Sequence, residues 1–374
     1  MEIQCVDNQS DFLSLREDWN TVWKVSHRPS YFLTHEWIRF CWEELRSNNA
    51  MRIFVVRDGS KPVLIAPWMR SNGWRKKLPV KLLGFIDHPE SQLADVICLP
   101  TVDANEGISV LFRYLREEVS AEWDLIAFDK LPQGSPLVQW LRSARPYASD
   151  RNQRQSSCPV FVIPLGGSWE EYLSGRSTRF RKTLRNIANR VQRLGNAEVT
   201  CYSGKELSAD ITQQLFSISD ASWKLTSGVA MTSSYERKRF FEELLRNLVT
   251  AENVRVWFLH VNGTAIASEI QVVDGTTIYA LRSDYDERFS DSSPGVYLQM
   301  EILKSVFGGA HGEYNFGVGL NPYKARWTDQ TVELLSFRLF NESYYGQLLR
   351  LIDQCKLEFP SFFKASHTFV DKAS

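Results

Sequence analysis

Three short stretches carry residue types and spacings that could do chemistry. The first is RSTRFRKTLRNIANRVQRLG, Arg176 to Gly195, with six arginines, one lysine and no carboxylate. The whole chain has 44 basic and 44 acidic side chains and zero formal net charge. A run of one sign repels itself and is best explained by an anionic partner. Arg179, Arg181 and Arg185 are the candidate anion contacts, because a guanidinium fork pairs bidentately with phosphate oxygens.

The second stretch is LRSDYDERFSDSSPGVYLQMEILKSVF. A strand ends near Arg282, a Ser/Asp-rich loop follows, and Ser293-Pro294-Gly295 opens a helix. Proline suits a first helical turn, and glycine lets a ligand approach the backbone. Free N–H groups of that turn can bind a pyrophosphate. Arg282, Ser292, Ser293, Pro294, Gly295 and Val296 are the candidate contacts. The third stretch is EYNFGVGLNPYKARWTDQ. A Gly-rich bend after a strand brings Tyr323 and Lys324 to the end of a sheet, as proton donor and charge stabiliser. A solvated face, an ordinary capped helix and a surface turn account for the same three stretches, and stay open here.

These residues need elements to position them. Phe180, Leu184, Ile187, Val191 and Leu194 recur at helical spacing, so the basic run is an amphipathic helix over 176–194, capped by Ser177 or Thr178 and closed by Gly195. Asp58-Gly59, Asn262-Gly263 and Asp274-Gly275 sit between apolar runs and predict hairpin turns. The last two together make a three-stranded meander. Amphipathic helices over 9–24, 35–46, 207–224 and 235–249 precede the hairpins. The order helix–helix–hairpin–strand–helix–strand occurs twice, an internal repeat of element order. A polar linker over 143–159 separates the halves. The expected fold is therefore mixed α/β (α+β), in two units.

Composition narrows the classes. At 374 residues and 43% apolar content the chain is an ordinary globular protein of more than one domain. The six cysteines have no metal or redox spacing and read as buried thiols in a reducing compartment. No metal site is expected. The N-terminus lacks the pattern of a signal peptide and no apolar run is long enough to span a membrane, so a cytoplasmic protein is expected. Without an RRM, zinc-finger or helix-turn-helix pattern, DNA is not an expected partner.

The segments SGRSTRFRKTLRNIANRVQRLG, YALRSDYDERFSDSSPGVYLQMEIL and YNFGVGLNPYKARW, in this order, resemble the CelD/BcsL-like branch of the GNAT acyltransferases. That bacterial branch is associated with cellulose and exopolysaccharide biosynthesis, and is similar to the FemAB peptidyltransferases. The resemblance covers roughly residues 20–345 and is sharper in the second half. It implies tandem GNAT-like domains with mixed sheets flanked by helices. Residues 1–155 would be a degenerate, acceptor-side domain. Residues 156–374 would hold the donor site and the basic helix 176–194. It also implies acyl transfer to an amine or hydroxyl, with acyl-CoA as co-substrate and no permanently bound cofactor. The usual glycine pattern of the GNAT loop is reduced here to Gly295, as in FemAB-like proteins, whose donor is aminoacyl-tRNA. tRNA therefore ranks as the second donor, below acyl-CoA.

Direct transfer needs a base, an oxyanion donor and an acid for the leaving thiolate. Glu269, on the central meander strand, stands where the resemblance implies a base. Asp284 and Asp286 are alternatives. Lys324 would hold an oxyanion or phosphate, and Tyr323 or Tyr297 would protonate the thiolate. His35, Trp37 and His88 fall in the acceptor-side unit. No Cys–His–Asp set suggests an acyl-enzyme. The acceptor would be a small molecule, a saccharide or a lipid, with peripheral association at the inner membrane face compatible with a lipid. Alternatives are a long-chain N-acyltransferase of the ceramide type, a FemAB-like transferase, and a non-catalytic binding module.

Overall fold

The computed structural model describes residues 1–100, 104–143, 153–247, 251–319 and 321–354. Most of the expected linker, residues 144–152, lies outside them. The chain forms two compact units, one of residues 1–159 with the segment from Glu333 on, the other of Val160–Val332.

Unit 1 begins with β1 (Glu2–Val6), α1 (Gln9–Ser14), α2 (Arg16–Val25) and α3 (His35–Leu45). The meander β2 (Asn49–Asp58), β3 (Lys61–Arg75) and β4 (Leu78–Phe85) follows, with the short β5 (Ile97–Cys98) against β3. Gly59 supplies the positive φ that the Asp58-Gly59 turn requires. Helix α4 (Ala104–Glu117) crosses over to β6 (Leu125–Pro132), which runs parallel to β4, and α5 (Pro136–Ser143) ends this part. Gly84 faces Ala127 across that parallel pair, where an added Cβ would stand 2.6 Å from the Ala127 carbonyl oxygen. Gly84→Ala should therefore force the strands apart and cost about 1–3 kcal/mol, read by chemical denaturation.

The chain then enters β7 (Gln153–Pro164), α6 (Trp169–Ser174) and α7 (Thr178–Gln192). Unit 2 continues with β8 (Ala197–Ser203), α8 (Ala209–Asp220), α9 (Trp223–Thr226) and α10 (Tyr235–Arg246). Its meander is β9 (Val254–Val261), β10 (Thr264–Asp274) and β11 (Thr277–Tyr285), followed by α11 (Pro294–Val306) and β12 (Glu313–Asn315). Last come β13 (Thr331–Phe340) and α12 (Tyr344–Gln354).

The sheets repeat one order. Unit 1 reads β1-β2-β3-β4-β6-β13, and unit 2 reads β8-β9-β10-β11-β12-β7. In each, four antiparallel strands lead to a parallel fifth, then to an antiparallel sixth. The sixth strands are exchanged along the chain. β7 follows α5 yet closes the sheet of unit 2, while β13 follows all of unit 2 yet closes the sheet of unit 1.

The expected second domain, 156–374, thus loses its C-terminal end to unit 1. The reason is apolar burial. Leu335, Phe337 and Leu339 of β13 pack with Trp68, Phe85 and Phe128 of unit 1. The core of unit 2 joins Leu184, Ile187 and Val191 of α7 to Leu298, Ile302 and Leu303 of α11 over the meander. Leu194, the expected end of the α7 stripe, is 38% exposed. The thiols also depart from expectation, since Cys5 and Cys201 are exposed.

Candidate active site

In unit 2, β11 pairs with β10 along its length but with β12 only over Thr277–Tyr279. Beyond Tyr279 it runs on to Tyr285, while β12 stops at Asn315 and the chain bends through Gly317 and Gly319, both at positive φ. The two strands part there, and side chains gather beside the parting.

At their centre is Glu269 on β10, only 2% exposed. Its carboxylate accepts hydrogen bonds from Gln271 Nε2 at 2.6 Å, the Tyr314 hydroxyl at 2.5 Å and Ser283 Oγ at 3.0 Å. Gln271 is held in turn by Trp257 Nε1 at 2.9 Å. Glu269 and Gln271, two residues apart on β10, share one face of the strand, and Ser283 stands opposite Glu269 on β11. Burial pushes the Glu269 carboxyl above its ordinary range, against the pull of its three donors. Burial and the Glu269 charge raise the Tyr314 and Tyr323 phenols, so both stay protonated at neutral pH. Gln299, on α11, has its amide beside Tyr314, and its Nε2 is buried without a hydrogen-bond partner. Ser283 is exposed, so Glu269 joins a surface hydroxyl to a buried phenol.

Neighbouring residues of β11 sort to the other face. Asp284 pairs with Arg282 Nε at 2.8 Å and Lys224 Nζ at 2.5 Å. Arg282 also reaches the Val229 carbonyl at 2.9 Å and lies over the Phe241 ring. Burial alone would raise the Asp284 carboxyl, but the two cations outweigh it and hold it well below the usual carboxylate range. Asp286 is clamped by Arg288 at 2.6 Å, which lowers it too. Neither aspartate is the available base that the sequence suggested, because each is locked as an ion. Arg282 likewise serves this buried triad and does not turn towards the start of α11.

Lys324 is 7% exposed, and its ammonium donates to the carbonyls of Gly317, Val318 and Gly319 at 2.9, 3.0 and 3.3 Å. It fixes the bend after β12, where the sequence pointed to an oxyanion or phosphate contact. Tyr323 stands close enough to Glu269 for that charge to raise its phenol. Tyr297 packs in the core against α11's neighbours.

At the start of α11, Ser293 adopts left-handed backbone (φ 55°) and its side chain caps nothing. Asn8, Thr34, Ser168, Ser177, Ser208, Ser222 and Ser234 all cap their helices. Ser293 Oγ instead accepts from Arg190 at 3.4 Å, across the packed pair α7 and α11. Pro294 occupies the first turn, Ser292 Oγ bonds the Phe289 carbonyl, and Val296 is half-buried. A Cβ on Gly295 would meet Tyr285 at an ordinary 3.6 Å. Arg190 is thus the arginine of the basic helix at this turn. Arg179 and Arg185 are exposed, and Arg181 bonds its own helix at Thr178.

In unit 1 the expected acceptor contacts are core. His35 is 2% exposed, bonds the Phe12 carbonyl at 3.0 Å and is lowered by burial. Trp37 donates to Ser91 at 3.0 Å. His88 accepts from the Glu90 N–H on Nδ1 and meets Glu44 through Nε2 at 2.8 Å. Packing consumes all three. Sequence reading missed Tyr314, Ser283, Gln271, Gln299 and Arg190. Only the period-2 alternation of β10 and β11 could have grouped any of them with Glu269. Among the described residues, no three His, Cys, Asp or Glu side chains could hold a metal ion, and no helix is long and apolar enough to cross a membrane.

The fold is the GNAT fold, a mixed sheet flanked by helices. Residues 178–325 match the acetyltransferase (GNAT) domain family. Among solved structures the chain is similar to a conserved protein of unknown function from Bacteroides thetaiotaomicron, at 11% identity and TM-score 0.53, covering 91% of this chain and 100% of that one. It is similar to FemX at 12% identity and TM-score 0.53, covering 95% and 100%. A third likeness is to the C-terminal domain of a proposed lysylphosphatidylglycerol synthetase from Agrobacterium fabrum, at 12% identity and TM-score 0.51, covering 91% and 95%. These likenesses show the acyltransferase-like fold alone. No curated protein sequence matches.

Proposed function

We propose that unit 2 is an acyltransferase. It moves an acyl group from acyl-CoA to an amine or hydroxyl of a sugar, lipid or envelope precursor, without an acyl-enzyme. The observation that carries this reading is the buried Glu269, bonded by Tyr314 and Ser283 beside the parted strands β11 and β12. The acceptor's nucleophile attacks the thioester carbonyl, and its proton passes through Ser283 Oγ to Glu269, which is too buried to touch the acceptor itself. The tetrahedral intermediate collapses, the C–S bond breaks, and the thiolate takes a proton from Tyr323. The uncapped first turn of α11, with Arg190, would hold the donor's pyrophosphate. A CoA donor suits a cytoplasmic site.

Calorimetry and thermal melting with acetyl-CoA, palmitoyl-CoA and an aminoacyl-tRNA test the donor. An acyl-CoA at one hundred times its Kd should stabilise the protein by about 2.7 kcal/mol. Arg190→Ala should weaken CoA binding about threefold to fivefold, as expected of one exposed charge contact. Stabilisation by the aminoacyl-tRNA, with none by either acyl-CoA, would replace the donor by a tRNA.

A further inference from the structure

The site at α11 uses one cation of the basic helix and leaves the others unexplained. Of the seven cations between Arg176 and Arg193, only Arg176 has an ion pair among the described residues, with Asp329 at 3.6 Å. Arg179, Lys182, Arg185, Arg190 and Arg193 are all exposed. Elsewhere exposed and half-buried arginines do find carboxylates, as Arg16, Arg52, Arg57, Arg288 and Arg338 show. At about 100° per residue these five side chains fall within an arc of about 140°, opposite the buried stripe of Leu184, Ile187 and Val191. From Arg179 to Arg193 the ridge is about 21 Å long.

That geometry discriminates between anions. A small anion needs donors that converge, and these five are spread in a line. A single-stranded nucleic acid needs aromatic platforms for its bases. The one aromatic residue of α7, Phe180, is turned inward, edge-on to Trp327 with ring centroids 5.2 Å apart. A plane of anionic headgroups asks only for spread cations on one face, helped by an apolar residue at its margin. Leu194, uncovered at the end of the stripe and next to Arg193, is such a residue.

We propose that the outward face of α7 docks the protein on a bilayer containing acidic phospholipid. The docking is electrostatic. Arg179, Lys182, Arg185 and Arg193 approach the headgroups, and the chain stays outside the hydrocarbon. The remaining surface need not be basic, so a chain of zero net charge binds through one face.

Sedimentation with vesicles tests this, using phosphatidylcholine alone and phosphatidylcholine mixed with phosphatidylglycerol. The protein should pellet with the mixed vesicles and stay in solution with the neutral ones. Added salt should release it. The variant R179Q/K182Q/R185Q/R193Q should lose partitioning by about 600-fold, at about fivefold for each of four charges. Its melting temperature should not change, because all four side chains are exposed. The single reversals Lys182→Glu and Arg185→Glu give the same test with less perturbation, and each should also weaken partitioning. Equal pelleting with both vesicles, or no pelleting with either, overturns the proposal. So does undiminished partitioning of the folded variants. Retention on tRNA that the same variants abolish, with no vesicle binding, would make the ridge a nucleic-acid face. No turnover is measured, so the result stands apart from whether unit 2 transfers an acyl group.

Discussion

Glu269→Gln should lower kcat by roughly 10²–10⁴-fold, the usual contribution of a positioned general base. The change removes the proton acceptor while keeping the volume, so the fold should survive. On the proposed mechanism the base form of Glu269 is the active one. Turnover should therefore rise with pH through the Glu269 titration, which burial places above the ordinary glutamate range. That limb should vanish in the glutamine variant. Tyr314→Phe gives a second, graded readout. The Tyr314 hydroxyl bond favours the ionised carboxylate, so its loss should move the limb to still higher pH. A pH profile unmoved in both variants, with turnover intact, would remove Glu269 from the chemistry.

Asp284→Ala is expected to have the largest effect on stability. It removes the carboxylate that neutralises Arg282, whose side chain is 5% exposed, and Lys224, leaving both cations with neutral partners such as the Val229 and Ser283 carbonyls. Removing one member of a buried ion pair typically costs 3–5 kcal/mol, because an uncompensated charge remains. Urea unfolding of the variant measures it, and a loss below about 1 kcal/mol would mean the triad is solvated. The pH dependence has a definite sign. The Asp284 carboxyl is depressed in the folded state, so its contribution is present above the unfolded-state pKa. It is lost as pH falls through the lower, folded-state value. The parent protein should thus lose stability in acid, and Asp284→Ala should show a flatter profile there.

Local signals are legible in the sequence. Asn262-Gly263 and Asp274-Gly275 set the hairpins of unit 2, with Asn262 and both glycines at positive φ. The spacing of Leu184, Ile187 and Val191 marked the buried side of α7. Glu269 could be placed on a central strand, but not among Tyr314 and Ser283, because those contacts span 45 and 14 residues. A buried ion triad and a lone buried carboxylate look alike in sequence. Only the face of the sheet on which each side chain stands separates Asp284, on β11, from Glu269, on β10. His35 and His88 misled for the same reason, since a polar ring satisfied in a core leaves no local pattern. The exchanged strands β7 and β13 were invisible to a reading based on element order, which assumes that each unit is contiguous.

That exchange has a consequence for how the protein is made. On the ribosome, α5 is complete at Ser143, but the strand that pairs with β6 ends only at Phe340. At 5–20 residues per second the interval is about 10–40 s. Throughout it, the nascent first half presents β6 as a bare edge, a template for pairing with another chain. The second half has the opposite history, for β7 is synthesised before the rest of its sheet and waits for β12. Completion therefore runs backwards along the message, with the later-coded half closing first and the earlier-coded half closing last.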